Sequence, residues 1–115
     1  MRHSWIPIEF YAPVQKQIHG WPYEVRKELG AVLTRLQKGE SIGLPDVRPM
    51  SDIGKGVSEI RVSVKAGEYR VFYVVVTKAG ILVFHSFKKK TQATPKKELE
   101  TARIRLRAQL EELDL

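Results

Sequence analysis

The stretch VSEIRVSVKAGEYRVFYVVVTKAGILVFHSF, residues 57–87, contains the clearest strand pattern of the sequence. Residues 57–65 alternate apolar with polar side chains, which predicts a strand with one buried face. An Ala-Gly turn then leads into residues 68–77, a nearly continuous apolar run that is typical of a central strand. A Lys-Ala-Gly turn leads into a third predicted strand at residues 81–87. The stretch therefore predicts three consecutive strands joined by tight turns.

The residues before this stretch predict an edge strand and two helices. Residues 5–11 have the composition of a strand, and Pro7 restricts that strand to an edge of the sheet because proline has no amide hydrogen to donate. Residues 13–38 have helical spacing with a break at residues 20–22 (Gly-Trp-Pro), since glycine suits a helix end and proline the first turn of the next helix. Residues 39–54 are rich in Gly, Pro, Ser and Asp, and we expect a long loop there.

The residues after the stretch predict a final helix. Thr94 is a good N-cap residue, and Pro95 fits the first helical position. Apolar residues then recur at steps of three and four, which predicts a stripe that packs on the sheet or on a partner chain. The stripe consists of Leu99, Ala102, Leu106, Leu110 and Leu113. The predicted order is β-α-α-β-β-β-α in a single domain over residues 1–115.

The composition excludes several classes of protein. The length of 115 residues corresponds to one domain, and the chain contains no cysteine. The absence of cysteine excludes disulfide scaffolds, Cys-ligated zinc, iron–sulfur clusters and thiol catalysis, and it fits a reducing cytoplasm. The sequence has no apolar run of about 18 residues and no apolar signal core at its N-terminus, so we expect a soluble cytoplasmic protein without a membrane partner.

The net charge of +7 is concentrated in one region of the chain. Residues 55–107 contain 13 Lys and Arg against four Glu, so this region carries +9 and the rest of the chain −2. A basic region of this kind indicates a polyanion as partner, although solvated faces of strands and a helix would give the same count.

No motif for a cofactor or a metal occurs in the sequence. There is no glycine-rich phosphate loop, no His-x-x-x-His pair and no Gly-x-Ser-x-Gly motif. The three histidines, His3, His19 and His85, fall in different predicted elements, so we expect neither a metal site nor a small-molecule cofactor. The candidate chemistry therefore depends on cations and aromatic side chains.

Two arginines lie on neighbouring predicted strands. Arg61 lies on the polar face of its strand, and Arg70 interrupts the apolar run of the next strand. Because burying an unpaired guanidinium is costly, such an arginine is paired, exposed at a strand end, or part of a binding face. One alternative is an ion pair with Glu59 or Glu68, and the other is that both arginines converge on a phosphate.

Residues 85–97, HSFKKKTQATPKK, are the most informative segment of the sequence. Three lysines leave the end of a predicted strand, and two more begin the final helix, whose free N–H groups could add to an anion site. Lysines at strand ends also keep proteins soluble as gatekeepers, and this alternative stays open.

Three pieces of the sequence resemble the RelE/ParE superfamily, and more closely its HigB-type, phage-related branch of bacterial toxins. They are EIRV at residues 59–62, GEYRVFY at residues 67–73 and ILVFHSFKKKTQATP at residues 81–95. The most specific of them is the Phe-x-Lys-Lys-x-x-x-Thr-Pro-x-x-Glu pattern that leads into the final helix. The resemblance covers about residues 5–110.

This resemblance implies an α+β protein with the RelE-like microbial RNase fold. In that fold, an antiparallel sheet of three to four strands carries two N-terminal helices and one C-terminal helix. The resemblance also implies the toxin of a type II toxin–antitoxin system, an mRNA interferase that cuts mRNA in the ribosomal A site. The implied partner is a cognate helix-turn-helix antitoxin of the HigA type, which neutralises the toxin and represses the operon.

The resemblance also implies site residues. Arg61 and Arg70 match the two strand arginines of the family, and Lys88–Lys90 match its basic segment after the last strand. The tyrosine or histidine that acts as acid or base in the family has no secure counterpart here. The candidates for it are Tyr69, Tyr73 and His85.

We expect metal-free attack of the RNA 2′-hydroxyl on the neighbouring phosphate. Arg61 and Arg70 would hold the phosphorane, which is usually the largest contribution in such sites. Lys89 would transfer a proton, with Tyr69 and His85 as rivals for that role. The residues expected to bind RNA are Lys65, Phe87, Lys88, Lys90, Thr91, Gln92, Lys96 and Lys97.

Two other functions are compatible with the same residues. A ParE-like toxin would inhibit DNA gyrase without cutting RNA, and a non-catalytic basic module would bind RNA or the ribosome without cleavage. Phe87 likewise either stacks on a base or belongs to the core. The two arginines together with the lysine-rich segment favour RNA cleavage, whereas basicity alone serves all three functions.

Overall fold

A five-stranded mixed sheet with helices on both faces forms the fold. The computed structural model describes residues 5–76 and 79–113, and the predictions that concern His3, Thr77 and Lys78 lie outside these ranges. The elements are β1 (Ile8–Phe10), α1 (Ala12–His19), α2 (Tyr23–Gln37), β2 (Val47–Pro49), β3 (Val57–Val64), β4 (Gly67–Val76), β5 (Gly80–Lys89) and α3 (Lys96–Glu112).

The strands lie in the order β1-β5-β4-β3-β2. The three long strands β3, β4 and β5 form an antiparallel meander, and β2 adds to β3 in antiparallel orientation. β1 pairs with β5 in parallel, with Ile8 opposite Ile81. The α+β class is confirmed, but the sheet has five strands instead of three to four, and one of its pairings is parallel.

The additional strand β2 lies inside the segment that the sequence predicts as a long loop. Its Val47 is buried and pairs with Ile60, while Arg48 and Pro49 are exposed. Three residues are too few to show an alternating pattern. Proline is tolerated in an edge strand because no further strand requires an amide hydrogen there. The strand therefore depends on the neighbouring β3, which sequence patterns do not reveal.

The helices divide between the two faces of the sheet, so each face has its own core. The break between α1 and α2 occurs as predicted, since α1 ends at His19 and α2 begins at Tyr23. The core under these two helices includes Val14, Val25, Leu29, Ile60, Val62, Tyr69, Val71 and Val83. The core under α3 includes Val57, Phe72, Val74, Leu82, Phe84, Phe87, Ala102 and Leu106. The stripe of α3 therefore packs on the sheet.

A β-bulge in β5 turns two consecutive side chains toward α3. Phe72 pairs with His85 and Tyr73 pairs with Val83, so Phe84 is the extra residue between them. Phe84 belongs to the core under α3, and His85 contacts two side chains of α3. Without the bulge, strand alternation would send these two neighbours to opposite faces.

The start of α3 differs from the prediction by one residue. The helix begins at Lys96, and Pro95 is the N-cap in an extended conformation (φ −58°, ψ 142°), without a side-chain cap. The prediction of Thr94 as N-cap is therefore wrong. The extended Pro95 delays the helix, because a residue with ψ near 140° lies outside the helical region. Lys96 and Lys97 begin the helix as predicted.

Candidate active site

Strand alternation brings the two arginines together on the sheet face that also carries α3. Arg61 in β3 lies directly opposite Arg70 in β4, and Arg70 lies opposite Phe87 in β5. One row further along, Glu68 of β4 faces Lys89 of β5. This end of the sheet therefore carries charged side chains from all three long strands.

An open cleft of about 500 Å³ lies over this end of the sheet. Its walls come from β3, β4 and the end of β5 with the segment that follows it. The residues that line it are Arg61, Glu68, Arg70, Lys89, Lys90, Thr91 and Gln92. Six of the predicted site residues thus meet in one place, and four of the lining side chains are cationic. A cleft of this size suits a small polar ligand such as a nucleotide phosphate.

Arg70 lies at the floor of the cleft and is paired with two carboxylates. Its side chain is 3% exposed, and its Nε lies 3.8 Å from Glu59 Oε1. Its Nη1 lies 3.4 Å from Glu68 Oε1 and also donates to the backbone oxygen of Tyr69 at 3.1 Å. The ion pairs that the sequence left as an alternative are therefore present, and they include both Glu59 and Glu68.

Arg61 is more accessible than Arg70. Its side chain is 33% exposed, and its Nε lies 3.8 Å from Glu59 Oε1. That Nε is buried and has no hydrogen-bond partner. Of the two arginines, Arg61 is therefore the one that an anion in the cleft can reach, through the remaining nitrogens of its guanidinium.

Two acidic residues belong to the site, although sequence reasoning treated them only as ion-pair partners. Burial raises the pKa of Glu59, and the charges of Arg70, Arg61, Arg48 and Lys89 oppose this rise. The Ser63 hydroxyl donates to Glu68 and lowers the pKa of that carboxyl. The sequence does indicate that Glu59 belongs to the site, because Glu59 precedes Arg61 by two residues and strand alternation places both side chains on one face of β3.

His85 does not line the cleft. Its Nε2 lies 2.8 Å from Glu98 Oε1, and Arg105 Nη1 lies 2.9 Å from its Nδ1. Because a guanidinium can only donate, Nδ1 accepts, and the neutral ring donates through Nε2 to Glu98. Burial lowers the pKa of His85, with a further lowering from Arg105 and an opposing effect from Glu98. The structure thus places His85 in a polar contact between β5 and α3.

The candidate tyrosines lie on the opposite face of the sheet. Tyr69 is buried under α2, with its ring centroid 4.8 Å from that of Trp21. Lys88 shares this face, with its Nζ 5.7 Å from the centre of the Tyr69 ring. Tyr73 is also buried on this side, and burial raises its pKa. The structure therefore separates Tyr69, Tyr73 and Lys88 from the cleft.

The remaining predicted RNA-binding residues do not line the cleft. Phe87 is buried in the core under α3, with its ring centroid 5.7 Å from that of Phe72. Lys65 is exposed at the turn between β3 and β4, and Lys96 and Lys97 are exposed in the first turn of α3. Phe87 therefore takes the core alternative in this structure.

The described part of the chain has neither a metal-binding cluster nor a membrane-spanning helix. Residues 5–76 and 79–113 contain no group of three or more His, Cys, Asp or Glu that could hold a metal ion. No helix within the described part of the chain is long and apolar enough to cross a membrane.

Comparisons with known proteins agree with this architecture. The sequence matches the model of a family described as Phage derived protein Gp49-like (DUF891) over residues 16–107. The structure is similar to that of a mutant of the E. coli toxin RelE in the free state, with a TM-score of 0.52 and 15% identity. This similarity covers 88% of the present chain and 95% of the RelE chain. No curated protein matches the sequence.

The fold, with its cleft at the end of the sheet, defines a small α+β protein of the RelE class. The chain belongs to the phage-derived Gp49-like family, whose model matches most of its length. The family match agrees with the predicted phage-related relationship, and the structural similarity confirms the predicted RelE-like fold.

Proposed function

We propose that this protein is the toxin of a type II toxin–antitoxin pair and that it cuts mRNA on the ribosome. The observation that carries the proposal is the cleft where Arg61, Lys89 and Lys90 surround the floor residue Arg70. Such a cluster suits an RNA phosphate, because guanidinium and ammonium groups bind phosphate oxygens through charge-assisted hydrogen bonds. The resemblance to the RelE/ParE superfamily supports the same function.

The proposed reaction uses the nucleophile that RNA itself supplies. The 2′-oxygen attacks the adjacent phosphorus and loses its proton, and the bond from phosphorus to the 5′-oxygen breaks. The departing 5′-oxygen takes up a proton, so the products are a 2′,3′-cyclic phosphate and a 5′-hydroxyl. Arg61 contacts the phosphorane oxygens, and Arg70 supplies a second positive charge from the floor of the cleft.

We assign to Lys89 the proton transfer to the departing 5′-oxygen, because an ammonium group donates hydrogen bonds. Lys89 lines the cleft, whereas Tyr69 lies under α2 and His85 is engaged with Glu98 and Arg105. A general acid or base must come within hydrogen-bond reach of the proton that it moves. Lys90, Thr91 and Gln92 then bind the flanking RNA backbone.

The proposed partner is a helix-turn-helix antitoxin of the HigA type. The support for it is the resemblance to RelE- and HigB-type toxins, whose antitoxins are often helix-turn-helix repressors. Co-expression with the product of an adjacent short reading frame is expected to restore growth of cells that make the toxin. Unchanged arrest in the presence of every neighbouring product would contradict the pairing.

The proposed function is tested by mapping mRNA 5′ ends after induction in a tightly repressed bacterial host. We expect new 5′ ends within coding regions of translated messages and growth arrest. Arg61→Ala and Lys89→Ala are expected to abolish both effects. Lys27→Ala removes an exposed cation of α2 outside the cleft and serves as the matched control. Arrest without new mRNA ends would contradict the proposal.

A ParE-like gyrase inhibitor would give a different result in the same experiment. It would induce the SOS response and leave mRNA intact. A non-catalytic binding module would bind ribosomes in a salt-sensitive way without producing new ends. The cationic cleft with the buried Glu59 beneath its two arginines favours cleavage, because binding alone does not need a buried carboxylate beside two arginines.

A further inference from the structure

Arg61 and Arg70 face each other across β3 and β4, although like charges in directly opposite positions repel. A single carboxylate oxygen lies between them. Glu59 Oε1 is 3.8 Å from Nε of Arg61 and 3.8 Å from Nε of Arg70. This shared oxygen offsets the repulsion and holds the two guanidiniums on the same side of the sheet.

Glu59 is buried to a degree that requires such partners. Its side chain is 3% exposed, and its cross-strand neighbour in β4 is Phe72. A carboxylate in these surroundings stays charged only if cations compensate the loss of water. The cations that face it come from four strands, with Arg48 of β2, Arg61 of β3, Arg70 of β4 and Lys89 of β5.

Glu59 does not line the cleft, so its carboxylate has no direct access to an RNA in that cleft. We propose that Glu59 is a positioning residue that acts through Arg61 and Arg70. It sets where the exposed part of the Arg61 guanidinium meets the phosphate and where the charge of Arg70 lies beneath it. This assignment rests on the proposed RNA cleavage. It gives a buried acidic residue a role in a site that is lined mainly by cations.

The assignment has a consequence for the pH dependence of cleavage. Only the ionised carboxylate attracts both guanidiniums, so protonation of Glu59 releases Arg61 from it, while Glu68 and the backbone oxygen of Tyr69 still hold Arg70. Because burial raises the pKa of Glu59, this release begins at a higher pH than for an exposed glutamate. Cleavage is therefore expected to slow on acidification through the raised pKa, and Glu59→Gln is expected to lack this dependence.

The test compares single-turnover cleavage of ribosome-bound mRNA by the wild type, Glu59→Gln and Glu111→Gln. Glu111 is exposed near the end of α3, so its variant controls for the loss of one negative charge. Binding is measured with mRNA that carries a 2′-deoxynucleotide at the cleavage position. We expect about a 100-fold lower rate constant for Glu59→Gln, as for misplaced catalytic groups, with little change in binding.

A purely structural role would give a different pattern. Loss of folded protein raises the total protein concentration needed for the half-maximal rate and leaves the single-turnover rate constant at saturating protein unchanged. An unchanged rate constant, or an acid limb that persists in Glu59→Gln, would overturn the assignment. If the wild type itself cuts no RNA, the proposed function fails and the assignment falls with it, so the two failures are distinguishable.

Two further variants keep the test decisive if Glu59→Gln does not fold. Glu59→Asp keeps the charge and shortens the reach by one methylene, so it is expected to cleave more slowly with unchanged binding. In an Arg61→Gln background, the loss of Glu59 is expected to cost less than in the wild type, since its partner is already absent. Full additivity, or a wild-type rate for Glu59→Asp, would contradict the role.

Discussion

Replacement of Arg70 by methionine is expected to destabilise the protein far more than replacement of Arg61. Both Arg70 and Glu59 are 3% exposed, whereas Arg61 is 33% exposed. Removing Arg70 leaves the buried Glu59 carboxylate with the partly exposed Arg61 as its remaining ion-pair partner. Breaking a buried ion pair in this way costs about 3–5 kcal/mol of unfolding free energy. The pair made by Arg61 is partly screened by water, so Arg61→Met is expected to cost about 1 kcal/mol or less.

The assay is urea unfolding followed by circular dichroism at pH 7, with Glu59→Gln/Arg70→Met as the second variant. Removing both charges abolishes the unpaired carboxylate, so the double variant is expected to recover most of the lost stability. It is expected to remain inactive, which separates folding from chemistry. An Arg70→Met protein within about 0.5 kcal/mol of the wild type would refute the reasoning, because that is the range of ordinary surface substitutions.

Three further predictions concern other parts of the molecule. Lys89→Ala is expected to slow mRNA cleavage by about 100-fold or more, which is in the range of general acid–base catalysis. Lys88 lies on the other face of the sheet, so Lys88→Ala is expected to leave the single-turnover rate unchanged. Equal effects of the two substitutions would contradict the assignment of Lys89. The pKa of His85 is lower in the folded protein than in the unfolded chain, so on acidification the unfolded chain takes up a proton at this residue before the folded protein does. As the pH falls from 6.5 toward the lowered pKa, the wild type is therefore expected to lose stability relative to His85→Gln. Parallel stability-versus-pH curves for these two proteins would be inconsistent with a buried neutral His85. Gly30 is exposed within α2, and a Cβ atom at this position would meet no other atom within 4 Å. Gly30→Ala is therefore expected to raise the free energy of unfolding by about 0.5–1 kcal/mol in the same urea assay. A lower free energy of unfolding would contradict this prediction.

The elements that could be predicted are those whose signal is local. The alternation of β3, the apolar run of β4 and the helix break before Tyr23 each depend on short-range periodicity or on glycine and proline. β2 could not be predicted, because three residues with one buried side chain, Val47, carry no period. The start of α3 differed by one residue because Pro95 is compatible with both the cap and the first turn.

The candidate site shows the same division. The shared face of Arg61 and Arg70 follows from strand alternation and register. The separation of Lys88 from Lys89 also follows from alternation, although the resemblance grouped them as one basic segment. The position of His85 could not be predicted, since it depends on a bulge at Phe84 that arises from the pairing of β4 with β5.

Acidic partners are the other part of the site that the sequence left open. A carboxylate near two arginines is a partner of either one, and sequence spacing does not give the distance to each. The structure places one oxygen of Glu59 at 3.8 Å from both. The burial of this group, which raises its pKa, is a property of the assembled sheet.

The most direct test of the central claim is the chemistry of RNA ends produced by purified protein on ribosome-bound mRNA. Metal-free attack by the 2′-hydroxyl predicts fragments with a 2′,3′-cyclic phosphate and a 5′-hydroxyl. Arg61→Ala is expected to form them at least about 100-fold more slowly, as for removal of a group that stabilises transition-state charge. Intact mRNA, or fragments with 5′-phosphate ends, would contradict the account.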